Sequence, residues 1–270
     1  MHVPYSSAMP RTVVAQISDP HITGPHDELF EGSDPVGNLS KAIAHAAARA
    51  ETVIITGDLA ARAGTDAEYE GVRAVLDSCG TEVLLCAGNH DESQKIRSLF
   101  GAEGRGDRLD YVRELSGGRL AVLDSSREGR GDGALDADQL AWLDEVLSAG
   151  VPTLVAMHHP CFAIGGRGLA GVRLDDESVE GLASVVSRHR NVLSVISGHA
   201  HMTLSTAFAG TVAHACPSVA YEFDFRGRDL IYRPGHPRYM LYTWSTGGTG
   251  FFAREMTVAP GDSWLVMESF

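Results

Sequence analysis

The sequence predicts an α/β fold, a sheet with helices packed on it, and three observations carry that prediction. Short apolar runs alternate with stretches of helical periodicity over the first three quarters of the chain. The apolar runs are followed by Gly, Asp, Asn or His, the residue types that collect where ligands bind beyond the carboxyl ends of α/β strands. The chain has 270 residues, 44% of them hydrophobic and 21% charged, which is enough for a large core without covalent staples.

Taken in order, residues 12–17 (TVVAQI) form a short apolar run that predicts a buried strand. Over 38–50, Leu39, Ala42, Ile43, Ala46, Ala47 and Ala50 fall on one helical face. A strand at 53–56 precedes a helix that turns Val72, Val75, Leu76 and Cys79 inward, and a third strand covers 83–87. Runs at 111–115 and 120–123 flank Ser-Gly-Gly and predict a hairpin. Asp136 is placed to cap a helix that buries Leu140, Leu143, Val146 and Leu147. A strand at 153–157, a helix marked by Val179, Leu182, Ala183 and Val186, and a strand at 192–196 follow. From Thr203 onward the pattern is strands and turns with little helix.

Composition excludes several classes. The formal net charge of −13 argues against nucleic acid as a main partner, because phosphate contacts need Lys and Arg. It leaves a small phosphate substrate open, since a bound cation can dominate the local field. There is no apolar run of about 18 residues, so no membrane span is expected. The start, MHVPYSSAMPRTVV, has no long apolar region or convincing cleavage site, which leads to the expectation of a cytoplasmic protein. Cys79, Cys86, Cys161 and Cys216 form no CxxC pair and are expected to be free thiols, most of them buried, in a reducing compartment.

Five strand ends share one chemistry. They are Ser18-Asp19-Pro20-His21, Gly57-Asp58, Gly88-Asn89-His90-Asp91, His158-His159-Pro160 and Gly198-His199-Ala200-His201. Each alone also reads as a turn or a braced histidine; Asn89, for instance, would suit a left-handed loop position. Gly-His-x-His is the most specific, because alternate residues of an extended segment point to one side. By the same rule His158 and His159 would point apart. The five together, all Asp, Asn and His, suit intermediate divalent metals.

This set resembles the calcineurin-like metallophosphoesterase superfamily: D-x-H, G-D, G-N-H-[DE], H-H-P and G-H-x-H. Within it the chain is similar to bacterial class III cyclic-nucleotide phosphodiesterases and related glycerophosphodiesterases. The resemblance covers about residues 12–205, including Leu123-Asp124-Ser125-Ser126-Arg127 and the Gln139-Leu140-Ala141-Trp142-Leu143 helix. It implies a four-layer α/β/β/α sandwich and two divalent or mixed-valence ions drawn from Fe, Mn, Zn and Co. Asp19, His21 and His201 are implied for the first ion and Asn89, His158 and His199 for the second, with Asp58 bridging. Pro20 inside D-x-H fixes φ but leaves both flanking side chains free.

The expected activity is hydrolysis of a small phosphodiester, a 3',5'-cyclic nucleotide or a glycerophosphodiester, by a water acidified to hydroxide between the ions. The alternatives are a phosphomonoesterase or a non-catalytic metal-binding scaffold. Asn89 and His90 are expected to contact substrate, with His90 protonating the leaving alkoxide. His159 is either a substrate-side or a structural residue, and His26 could reach the cleft. The glycine-rich stretches 129–133 and 165–168 are surface loops or a lid that brings Arg127, Arg130 or Arg167 to phosphate. A single domain over 1–270 is expected, with a core of about 12–205. Residues 206–270 would be a β-rich completion, a cap or an oligomer contact, and relatives that form dimers or larger assemblies make a homo-oligomer compatible with this plan.

Overall fold

The computed structural model describes residues 11–165, 169, 171–227, 229–245 and 250–258. The first half of the chain forms β1 (Arg11–Ile17), α1 (Pro35–Ala47), β2 (Thr52–Thr56), α2 (Asp66–Ser78), β3 (Val83–Cys86), α3 (Ser93–Phe100), β4 (Tyr111–Leu115) and β5 (Gly118–Val122). Next come α4 (Ala137–Ser148), β6 (Thr153–Ala156), α5 (Asp176–Arg188) and β7 (Val192–Ser197). The rest is all strand: β8 (Leu204–Phe208), β9 (Thr211–Ala215), β10 (Glu222–Arg226), β11 (Asp229–Arg233), β12 (Arg238–Ser245) and β13 (Phe252–Thr257).

The strands build two main sheets, ordered β13-β12-β1-β2-β3 and β4-β5-β6-β7-β9-β8, with β10 and β11 as a separate hairpin. β1, β2 and β3 run parallel, as do β5, β6, β7 and β9. The carboxyl ends of parallel neighbours therefore share one edge of their sheet, where the polar motifs lie.

Three apolar clusters make four layers. Val14, Ile54, Leu84, Leu120, Leu154, Ile196, Tyr242 and Trp244 pack between the sheets. Ile17, Leu39, Ile43, Ile55, Tyr69, Val72 and Ile96 join the outer face of the first sheet to α1, α2 and α3. Leu123, Leu143, Leu147, Val155, Leu182 and Val186 join the second sheet to α4 and α5. Gln16, fully buried, ties the layers together: its amide donates to Thr56 Oγ1 and to the Ser197 carbonyl, both at 2.8 Å, and it accepts from Tyr242 Oη at 2.8 Å.

The helices begin where side chains can satisfy the first free N–H groups. Asp136 accepts from Gln139 N, and the Gln139 side chain returns to Asp136 N, which makes a capping box; Thr65 and Glu68 do the same for α2. Of the predicted elements, α1 starts earlier than its apolar face suggested, at Pro35, and α3 was not foreseen. Cys86, Cys161 and Cys216 are buried and Cys79 partly so, and all four are free thiols. No helix among the described residues is long and apolar enough to cross a membrane.

Candidate metal centre

The site is built on backbone that most side chains avoid. Asp19, His21, Asp58, His199 and His201 all have positive φ, between 46° and 63°. Such left-handed positions cost non-glycine residues energy and concentrate at functional sites. Here each follows a strand and turns its side chain sharply into the shared edge. Hydrogen bonds hold the loops in register: Asp19 N donates to the Gly57 carbonyl at 3.2 Å and His21 N to the Asp58 carbonyl at 3.0 Å. Both Asp19 carboxylate oxygens face His199 N, at 3.2 and 2.9 Å. Close approach also requires Gly57, at φ 92°: a Cβ there would meet Gly88 Cα and N at 2.8 Å and run into His158 Nδ1.

Three expectations about local geometry are corrected. Gly-His-x-His is not extended; its two histidines are left-handed and separate. The His199 ring joins His158, with Nδ1 3.0 Å from His158 Nε2, whereas His201 Nε2 lies 3.0 Å from His21 Nε2. Asn89 is not among the left-handed residues. Nor do His158 and His159 point apart: their rings are 4.8 Å apart and both reach His199.

The donor atoms gather into overlapping groups, each within 4.8 Å: Asp19, His21 and His201; His21, Asp58 and His90; Asp19, Asp58, His158 and His199; and His158, His159 and His199. Asp58 lies between them. Its Oδ1 is 3.4 Å from His158 Nε2, and its Oδ2 is 3.7 Å from His21 Nε2 and 4.0 Å from His90 Nε2. His158 Nδ1 donates to the Thr56 carbonyl at 2.8 Å, so in the neutral ring Nε2 carries a lone pair. That lone pair faces Asn89 Oδ1 at 3.2 Å. Ring nitrogens and carboxylate oxygens that converge this closely, such as His21 Nε2 and His201 Nε2 at 3.0 Å, fit cations bound between them.

The electrostatics prepare His21, His199 and both carboxylates for a cation, whereas His158 holds a proton that a cation would have to displace. Burial lowers His21 to about 4, and burial together with the charge of His158 lowers His199 to about 3, so both rings are neutral lone-pair donors at neutral pH. Burial opposes charge on His158 too, but the Asp58 carboxylate overrides it and lifts the ring to about 9. Burial alone would raise Asp19 and Asp58; adjacent histidines, His201 for Asp19 and His158 for Asp58, hold both low, Asp19 at about 2. The carboxylates are thus ionised across the neutral range.

The remaining residues find their places. His90 borders a cleft of about 1000 Å³ that is also lined by Asn89, Arg62, Ser126 and Arg127. Its Nδ1 donates to the Arg62 carbonyl at 2.7 Å, an orienting partner that no sequence pattern indicated. Asp91 instead braces the loops, accepting from Leu59 N, Ala60 N and Gly88 N at 3.0, 3.1 and 2.9 Å. His159 is fully buried against His158 and His199, with Nδ1 2.9 Å from Ser125 Oγ. His26 is exposed and joins none of the donor groups. Arg127 and Arg130 pair with Asp132, Arg127 also with Asp175; Arg167 lies outside the described residues.

Sequence reasoning missed the contribution from beyond β9. Ser218 Oγ donates to the Asp19 carbonyl at 2.7 Å, Val219 N to the Ser18 carbonyl at 3.1 Å, and Phe223 N to the His201 carbonyl at 3.2 Å. Tyr221 lies 4.4 Å, centroid to centroid, from His201, and Phe223 stacks on the same ring at 4.8 Å. No motif spacing marks these residues.

Solved structures share this architecture. A dimetal phosphatase from Danio rerio superposes with a TM-score of 0.65 at 18% identity, covering 92% of this chain and 99% of that one. A purple acid phosphatase from yellow lupin gives 0.67 at 13% identity, over 97% of this chain and 54% of that one. At these identities the likeness is one of fold. The fold and the donor set, together with a match to a phosphoesterase family, define a hydrolase of phosphate esters with a site suited to metal ions. The chain belongs to the calcineurin-like phosphoesterase family, whose sequence model matches residues 12–203. Among curated relatives, a probable cyclic nucleotide phosphodiesterase of Synechococcus is 31% identical, over 78% of this chain and 82% of that protein. A cAMP/cGMP dual specificity phosphodiesterase of Mycobacterium tuberculosis is 30% identical, over 82% and 73%. A glycerophosphodiester phosphodiesterase of Enterobacter lignolyticus is 26% identical, over 80% and 81%.

Proposed function

We propose that this chain is a dinuclear metal-dependent phosphodiesterase that hydrolyses a small diester, a 3',5'-cyclic nucleotide or a glycerophosphodiester. The observation that carries the reading is Asp58, which turns one oxygen toward His158 and the other toward His21. A carboxylate so placed suits a bridge. Asp19, His21 and His201 complete one metal position; Asn89, His158 and His199 complete the other. Fe, Mn, Zn and Co all suit this N/O donor set. Bound there, two divalent ions supply Lewis acidity toward phosphoryl oxygens and acidify water.

The chain's own groups do the rest. Asn89 and His90 reach the cleft and orient the phosphoryl group there. Because His90 Nδ1 is committed to the Arg62 carbonyl, Nε2 is the atom that faces substrate. In the imidazolium form it gives its proton to the leaving alkoxide oxygen. His159 takes no part in substrate contact; it packs behind two metal ligands and, through Ser125, fixes their rings. Free cysteines throughout suit a cytoplasmic enzyme.

Hydrolysis of bis(p-nitrophenyl) phosphate beside p-nitrophenyl phosphate tests this, on protein stripped of metal and reconstituted with manganese. Metal-dependent turnover that favours the diester is expected. Preference for the monoester makes the enzyme a phosphatase, and no turnover of either with metal bound contradicts the reading.

A further inference from the structure

The metal centre has two unlike flanks. On the His90 side the cleft is polar, with Arg62, Ser126 and Arg127. On the His21 and His201 side the neighbours are aromatic. Tyr221 lies 5.6 Å from His21 and 4.4 Å from His201. Phe30, from the loop between β1 and α1, meets Tyr221 edge-on at 5.9 Å and 87°, and Tyr232 at 6.0 Å. Tyr232 completes the triangle, 6.1 Å from Tyr221.

The β10–β11 hairpin that carries Tyr232 is anchored, but not at that residue. Phe223, Phe225 and Leu230 pack against the cluster of Ile164, Leu169, Ala200, Met202 and Ala215. Tyr232 is the direct cross-strand partner of Phe223, so it shares that face, yet it is 61% exposed. A lone exposed aromatic is ordinary. One that ends a continuous run of rings starting at two metal-binding histidines is a surface on which a planar group of a bound ligand can stack.

Resting on the phosphodiesterase reading, the geometry points to Phe30, Tyr221 and Tyr232 as a specificity wall that selects diesters carrying a planar aromatic ring, the nucleotide class, over glycerophosphodiesters. The phosphoryl group occupies the metal centre, the leaving oxygen faces His90, and the ring of the substrate stacks on Tyr232 beside Phe30. A glycerophosphodiester has nothing to place there. Tyr232 contacts the ring and takes no part in bond breaking, so it acts on KM and leaves kcat alone.

The test compares adenosine 3',5'-cyclic phosphate with glycerophosphoethanolamine in the metal-loaded wild type, Tyr232→Leu and Tyr232→Phe. Tyr232→Leu is expected to raise KM for the cyclic nucleotide by about 5- to 100-fold, the range of one lost base–aromatic stack. Its kcat should stay within about twofold and the glycerophosphodiester should be unaffected, because only uniform binding is removed. Tyr232→Phe, which keeps the ring, should behave as wild type. Equal effects on both substrates, no effect on either, or a wild type that prefers the glycerophosphodiester overturns the proposal. If the wild type hydrolyses neither diester, the phosphodiesterase reading fails by itself, and the wall is then tested by binding. Calorimetric titration of the metal-loaded protein with adenosine 5'-monophosphate and glycerol 3-phosphate should show a preference for the nucleotide that Tyr232→Leu abolishes; equal binding refutes the wall.

Discussion

At the residue scale, His90 separates chemistry from metal binding. It stands next to a proposed ligand, Asn89, but its Nδ1 is spent on a backbone carbonyl and its Nε2 lies 4.0 Å from Asp58. His90→Ala is therefore expected to cut diester turnover by about 10²–10⁴-fold, the usual worth of a positioned proton donor. Metal content, measured by elemental analysis, should not change; loss of metal in the variant would assign His90 to ligation instead. Most residues of this site were legible in the sequence because Asp, Asn and His recur just after apolar runs. How the histidines are aimed was not legible. The rule of alternating side chains assumes extended backbone, and His199 and His201 leave it, at φ 63° and 51°. Tyr221, Phe223 and Ser218 were missed because hydroxyl and aromatic residues in a strand-rich tail look like ordinary sheet.

At the element scale, the loops after β2 and β3 are held by one carboxylate. Asp91 accepts three backbone N–H bonds, and Tyr69 Oη approaches it at 3.4 Å. Asp91→Ala leaves those donors without a partner and is expected to destabilise the metal-free chain by about 2–4 kcal/mol. Asp58 and Asn89 flank the same loops, so metal retention should fall as well. Thermal melting and metal analysis check both, and an Asp91→Ala protein with wild-type melting and metal content would show that the brace is dispensable. A helix with clear start chemistry was readable: Asp136 caps α4 as its sequence suggests, and Gln139 adds a capping box to it. α3 escaped because it has eight residues and only Ile96 buried, too little apolar periodicity to stand out.

At the scale of the whole molecule, the site exists only where two sheets meet. Asp19 and Asp58 follow β1 and β2 of one sheet; His158, His199 and His201 follow β6 and β7 of the other. Sequence reading gave the alternation that makes an α/β sheet, and the four-layer arrangement came by resemblance. A β-rich completion by the tail was expected, but neither reading indicated that β12, near the end of the described chain, pairs antiparallel beside β1 inside the first sheet. Local pattern carries no information about such long-range pairing. The connection between β9 and β10 likewise reaches back to residues about two hundred positions earlier, as the Ser218–Asp19 hydrogen bond shows. Because seven proposed ligands converge from both sheets, the folded chain should hold two ions and need both. The direct measurement is a manganese titration of the stripped protein, following bound metal and bis(p-nitrophenyl) phosphate hydrolysis together. Turnover that rises to saturation at two ions per chain, and is lost in Asp58→Asn, is the predicted result. Full turnover at one ion, or turnover indifferent to metal, would contradict the two-metal account.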